Sequence, residues 1–132
     1  MLVVDSSAVL EALVAHEQAP HLVERLAKDG DLHAPHLIDT EVLHALRRMS
    51  MHRELSEERA ADARTDFAEL TLVRYPHEPL NHRVWALRQN LTAYDATFVA
   101  LAEALDAPLI TCDSRLAEAT GNRARIELFG PK

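Results

Sequence analysis

The chain is poor in cysteine, glycine, lysine and aromatic residues, and each shortage narrows what it can be. Cys112 is the only cysteine, so no disulfide can form within the chain and a cytoplasmic protein is expected. That lone thiol reads as a small buried strand residue, not a nucleophile. The three glycines, Gly30, Gly121 and Gly130, stand apart. They build no phosphate-cradling loop, and no Gly-x-Ser-x-Gly elbow exists. Lys28 and Lys132 are the only lysines, and neither follows a strand. No apolar run approaches the ~18 residues of a membrane span. The apolar N-terminus is interrupted by Asp5 and preceded by no basic segment, so no signal peptide is expected either. Repeats and low-complexity stretches are absent.

Positive charge is also short. Fourteen Lys and Arg stand against 21 Asp and Glu, for a net charge of -7. That excludes nucleic-acid binding through a broad basic surface. It leaves room for a protein whose acids are gathered in a metal site. The question is where the acids sit.

What is present is ample apolar residue: 48% of 132 residues, mostly Leu, Val and Ala, enough for one domain over residues 1–132. The pattern predicts a strand at Leu2–Asp5, then a helix from Ser6 to Glu17 in which Val9, Leu10, Leu13 and Val14 recur at helical spacing. Pro20 opens a second helix closed near Gly30. A strand at 32–35 precedes a long helix from Leu37 to Arg53, and Ser56 caps another over 56–70. A strand at 71–75, helices at 79–90 and 93–106, a strand at 108–111, a short helix at 114–120 and a strand at 125–129 complete the chain. Strands separated by helices run parallel through right-handed crossovers. The fold class is therefore α/β, an open sheet with helices on both faces. In such sheets function gathers at the carboxyl ends of the strands. Asp5 and Asp113 both fall there.

Each acid also has a plain structural reading. Asp5 and Asp113 directly precede helices and suit N-caps. Asp95 stands three residues after Thr92, the spacing of a capping box. Glu41 is harder to dismiss. It lies about 60° from Ile38, on the shoulder of the face formed by Ile38, Val42, Ala45, Leu46 and Met49, where a carboxylate needs a partner. Together the four are more specific than any one. Carboxylates gathered without a cation repel and raise one another's pKa, whereas hard Mg²⁺ or Mn²⁺ prefers oxygen ligands and serves phosphodiester hydrolysis. The histidines make a poorer case. His33-x-x-His36 spans a strand end and a proline, and Glu41-x-x-His44 is half of a di-iron motif with no second half.

The stretches "VVDSSAVLEAL", Glu41, "LTAYDATFVALAEALDAPLITCD" and the closing short strand resemble PIN-domain ribonucleases, and among them the VapC toxins of toxin–antitoxin pairs. The resemblance spans essentially the whole chain. It implies a three-layer α/β/α fold with a parallel sheet ordered 3-2-1-4-5. It implies an Mg²⁺- or Mn²⁺-dependent endoribonuclease whose catalytic and metal-binding acids are Asp5, Glu41, Asp95 and Asp113, supported by the hydroxyls of Ser7 and Thr111. It further implies an RNA substrate and a cognate antitoxin protein. Arg115 and Leu116 stand where some members carry one more acid, and His44 stands where relatives often have a small residue or an amide.

Arg48, two turns after Glu41, and Arg115 are candidates to guide the RNA backbone, although each reads more readily as a solvated surface arginine. More apolar positions fall on 37–53 and 56–70 than one buried face needs. Leu43, Leu46, Met49, Phe67 and Leu70 could line a groove for an antitoxin helix, or make core or homodimer contacts. The rival functions are a non-catalytic PIN-like binding module, which would lack one of the acids, and a phosphoacceptor receiver domain, which needs an acid pair at the first strand, where Ser6 and Ser7 follow Asp5, and a lysine near the last strands, which 109–115 does not offer.

Overall fold

The computed structural model describes residues 1–130. Its frame follows from two short strands that are buried throughout. β1 (Leu2–Val4) and β4 (Leu109–Thr111) are buried at every position, and a strand with both faces covered belongs inside a parallel sheet. β1 pairs with β2 (Leu32–Pro35) on one side and with β4 on the other; β3 (Val73–Tyr75) joins β2 and β5 (Ile126–Leu128) joins β4, all parallel. The order is β3-β2-β1-β4-β5, as expected from the resemblance. Burial falls toward the edges: β3 and β5 are only partly covered.

Helices flank the sheet. α1 (Ser6–Val14) packs with α2 (Pro20–Asp29), α3 (Leu37–Met51) and α4 (Glu57–Glu69). α5 (Asn81–Ala86) packs on α6 (Ala93–Leu105), which lies across β1, β2 and β4. Every residue from Ala96 to Ala102 of α6 is buried, which explains why that helix is apolar nearly all round. α7 (Ser114–Glu118) closes the crossover from β4 to β5.

Element ends depart from the periodicity for identifiable reasons. α1 stops at Val14, where Ala15 leaves helical geometry, and His16–Gln18 form a separate 3₁₀ turn; Ala19, directly before Pro20, is held out of the helical region. α3 stops at Met51, since Arg53 takes a left-handed φ of 59°. The helix expected over 79–90 is broken. Glu78–Leu80 form a 3₁₀ turn, α5 ends at Ala86, and tight bonds from the Arg88 N–H to Trp85 and from the Asn90 N–H to Leu87 follow. Leu87 and Leu91 are still buried; the tighter winding delivers them to the core by a different path. α2 ends at Gly30, with φ 70°, as a left-handed cap requires.

Candidate active site

Asp5 follows β1 directly and is only 6% exposed. Its backbone N–H donates to the Ile110 carbonyl (3.1 Å), which ties the end of β1 to β4. Its carboxylate does two things at once. Oδ1 accepts from the Ala8 N–H (2.9 Å), capping α1, and from the Ser7 hydroxyl (2.7 Å). Oδ2 accepts from the fully buried Thr111 hydroxyl (2.5 Å). The hydroxyls are themselves held from β4's end. Ser7 Oγ accepts from the Cys112 N–H (2.9 Å), and Thr111 Oγ1 accepts from the Asp113 N–H (3.0 Å). Ser7 and Thr111, expected as supports, thus lock the Asp5 carboxylate in one orientation.

Glu41 is half-buried on α3, on the shoulder where the periodicity put it. Its Oε1 accepts from the Ser6 hydroxyl (2.8 Å). Ser6 was missed by the reading of the sequence. The tandem serines after Asp5 were visible, but which acid each would serve depends on the packing of α1 against α3.

Asp95 stands in the first turn of α6, half-buried. The Thr92 hydroxyl accepts its N–H (3.2 Å), so Thr92 does cap the helix. The reverse bond of a capping box, from the Thr92 N–H to the acid, is not formed. Asp113 caps α7 by accepting the Arg115 N–H (3.0 Å), and the Arg115 guanidinium lies 3.8 Å from it. The capping role of Asp5 and Asp113 is therefore real and does not compete with a role at the rim.

Electrostatics tie the four acids together. Burial pushes the Asp5 carboxyl above its ordinary value against the opposing pull of Thr111, Ser7 and Ala8, and the charge of Asp95 adds to the rise. Burial also raises Glu41, partly offset by Ser6, with Asp95 and Asp5 pushing further. Asp95 is raised by burial and then by Asp113, with Arg115 and Thr92 acting the other way. Charges that couple in this chain of pairs share one neighbourhood. The donors are all carboxylate oxygens, the set a hard divalent cation prefers. Among the described residues, however, no three His, Cys, Asp or Glu side chains are already drawn within reach of one ion. The donor chemistry fits; holding an ion requires the acids to draw inward.

The basic candidates stand differently. Arg48 and His44 are exposed on α3. The Arg115 side chain is 93% exposed, beside Asp113. Cys112 lies just past the end of β4 and is half-buried, so it is not the buried strand residue expected; burial raises its thiol to about 12, with Asp5 and Glu11 adding to the rise, and it stays a thiol. No helix among the described residues is long and apolar enough to cross a membrane.

Comparison with known proteins gives this geometry its family. The model of the PIN domain matches residues 2–122. Ribonuclease VapC1 of Mycobacterium tuberculosis is 48% identical over 127 residues, 96% of each chain. Ribonuclease VapC9 of the same species is 43% identical over 120 residues, 89% of this chain and 90% of its own. Among solved structures, VapBC2 from Rickettsia felis bound to a DNA fragment from its promoter superposes with a TM-score of 0.71 at 14% identity, over 97% of this chain and 98% of that one; at that identity the likeness concerns the fold alone. The chain belongs to the PIN-domain family, and its relatives there are VapC ribonucleases.

Proposed function

We propose that this protein is a divalent-metal-dependent endoribonuclease, one PIN unit over residues 1–132, and the toxin of a toxin–antitoxin pair. The observation that carries the reading is the coupled set of Asp5, Glu41, Asp95 and Asp113 at the carboxyl rim of a PIN sheet. Relatives named ribonucleases at up to 48% identity support it. These four acids would hold Mg²⁺ or Mn²⁺. A bound divalent ion supplies an activated water and neutralises charge on the phosphoryl oxygens.

The chain's own residues do the rest. Ser7, Thr111 and the Ala8 N–H fix both oxygens of Asp5 before any substrate arrives, so the buried carboxylate pays no reorganisation when charge develops. Ser6 holds one oxygen of Glu41 and leaves the other free to reach inward. Burial of Asp5 beside half-buried Glu41 and Asp95 keeps the dielectric low, which strengthens every interaction between the rim and a cation or phosphate. Arg48 and Arg115 lie outside this set, on solvent, where an arginine can meet a phosphate as it arrives.

A nuclease loose among cellular RNA needs restraint, and a cognate antitoxin protein fits that need. The solved neighbour bound to promoter DNA is itself a VapBC complex. The groove between α3 and α4 is lined by Leu43, Leu46, Ala60 and Ala61, with Arg47, Ser50 and Arg64 at its margin. Of the apolar residues expected to line such a groove, only Leu43 is broadly open, at 46% exposed; Leu46 and Phe67 are buried and serve the core. A homodimer belongs to the same proposal.

The test is cleavage of a mixed RNA pool by the purified chain with Mg²⁺ or Mn²⁺ and with chelator. Internal cleavage that chelator abolishes is the expected result. Intact RNA with either metal would reject the enzyme and favour the non-catalytic binding module.

A further inference from the structure

Charge along this chain is not evenly spread. The longest stretch without an acid runs from Pro79 to Tyr94 and ends directly before Asp95. The next, Val42 to Arg53, begins directly after Glu41. The first holds His82, Arg83 and Arg88, and the second Arg47, Arg48 and Arg53. In a chain of net charge -7, each of these two stretches thus adjoins a carboxylate of the acidic rim.

The first stretch carries something more. Of the aromatic side chains only Trp85, at 68%, and Tyr94, at 64%, are broadly exposed, and both lie in it. The Arg88 guanidinium sits 4.5 Å from the centre of the Trp85 ring. Arg88 Nη1 also donates to the Trp85 carbonyl (2.9 Å), which fixes the pair in place. α5, with Trp85, packs on α6, whose first turn holds Tyr94 and Asp95. A flat indole with a stacked cation, and a phenol one residue from a site acid, stand on solvent in the longest stretch with no acid.

We infer that Trp85, Arg88 and Tyr94 form a base-stacking platform for the single-stranded RNA that the acidic rim cleaves. This rests on the nuclease reading above. Every base offers a π-face, so aromatic stacking holds a strand while the sequence is read elsewhere. Arg88 meets the strand with positive charge at the same point. The occupant is RNA and not a second copy of this chain. Arg83 is spent on Glu103, so the charge this face offers is that of Arg88; a two-fold interface through Trp85 would set that guanidinium toward its own copy, whereas a polyanion meets it with opposite charge. The platform also resolves the difficulty that net charge raised: an acidic protein can bind RNA if its bases are segregated beside its acids.

Trp85 is the only tryptophan, so its fluorescence reports the platform alone. The chain carrying Asp5→Asn, and the wild-type chain in EDTA as a check on that variant, are titrated with a single-stranded 2′-O-methyl oligonucleotide. The same strand with abasic positions is titrated in parallel, and binding is followed independently by anisotropy of a dye on the strand. The intact strand should quench Trp85 strongly and the abasic strand should bind more weakly with little quenching. Trp85→Ala should weaken binding by roughly tenfold, Tyr94→Ala by a similar factor, and Trp85→Phe by no more than about twofold, in the range of a lost base stack. In cleavage assays the Trp85→Ala loss should fall in KM, not kcat. Binding without quenching, or equal binding by Trp85→Ala, overturns the platform, as does a wild-type dimer that Trp85→Ala converts to a monomer with RNA affinity unchanged. Because the quenching needs no cleavage, an active enzyme with an unquenched Trp85 sinks the platform alone. A quenched Trp85 in a chain that cuts nothing sinks the nuclease reading alone.

Discussion

At the scale of the residue, Asp5 serves the fold and, in the function proposed, the chemistry as well. It caps α1, joins β1's end to Thr111 on β4, and belongs to the coupled acids. Its ionised form is penalised in the fold because burial raises its pKa. The unfolded chain ionises the same group at the ordinary value, so near neutral pH the charge opposes folding. As pH falls through the raised value the folded state takes up the proton first, and the penalty is gone below the unfolded value. Asp5→Asn keeps a capping oxygen and removes the charge. It should abolish metal-dependent cleavage while raising the metal-free Tm at pH 7, and that gain should shrink toward zero as pH is lowered. Cleavage assays and thermal scans across pH check both halves. Asp113→Ser separates cap from chemistry in another way. Serine caps α7 about as well as aspartate, so Tm should hold within the few degrees that ~1 kcal/mol shifts a chain of this size, while cleavage falls by at least an order of magnitude. Unchanged activity would make Asp113 a cap and nothing more.

At the scale of the element, α3 and α6 carry Glu41 and Asp95 of the proposed site in different ways. α6 is a buried helix held in place at both ends. Thr92 caps its first turn, and near its end the almost buried Glu103 accepts from Arg83 Nε (2.7 Å) on α5 and from the Arg123 N–H (2.6 Å) ahead of β5. Burial pushes Glu103 up, but these partners more than offset it, and its pKa is lowered. That brace holds the helix bearing Asp95 against the sheet. α3 is amphipathic, with Ile38, Val42 and Leu46 buried and Leu43 facing out. Leu43 is the position at which to test a protein partner. Leu43→Glu should leave the fold intact by circular dichroism and weaken capture of the cognate antitoxin at least tenfold, read by calorimetry on the purified pair. Leu46→Glu is no equivalent probe, because Leu46 is 5% exposed and a charge there breaks the core.

At the scale of the whole molecule, the parallel sheet brings acids from four separated segments to one rim and leaves them repelling one another. A divalent ion held by them, as proposed, would bind the folded state alone and raise Tm by mass action. At pH 7, saturating Mn²⁺ or Mg²⁺ should raise Tm by several degrees, in line with the ~2.7 kcal/mol expected at one hundred times Kd. The shift should vanish in Asp5→Asn and fade as acid protonates the cluster. A wild-type Tm indifferent to both ions would show that the acids do not hold a metal in the absence of RNA.

The sequence by itself determined the alternation of strand and helix, the apolar strands that must lie inside the sheet, and the acids that follow β1 and β4. Those features are local: burial, turn chemistry and caps are written in neighbouring residues. Resemblance to the PIN family supplied the strand order and gathered the four acids, and the sheet has the order it implied. Periodicity alone failed where a helix tightened, as over 79–90, because i to i+3 winding leaves the same leucines buried and the apolar pattern cannot tell it from an α-helix. Only the tertiary structure decided that Ser6 serves Glu41 while Ser7 serves Asp5. It alone made Leu46 core and Leu43 surface, and left Trp85 and Tyr94 on solvent in an acid-free stretch. These are outcomes of packing between elements distant in the chain, where two residues equal in type and adjacent in sequence meet different partners.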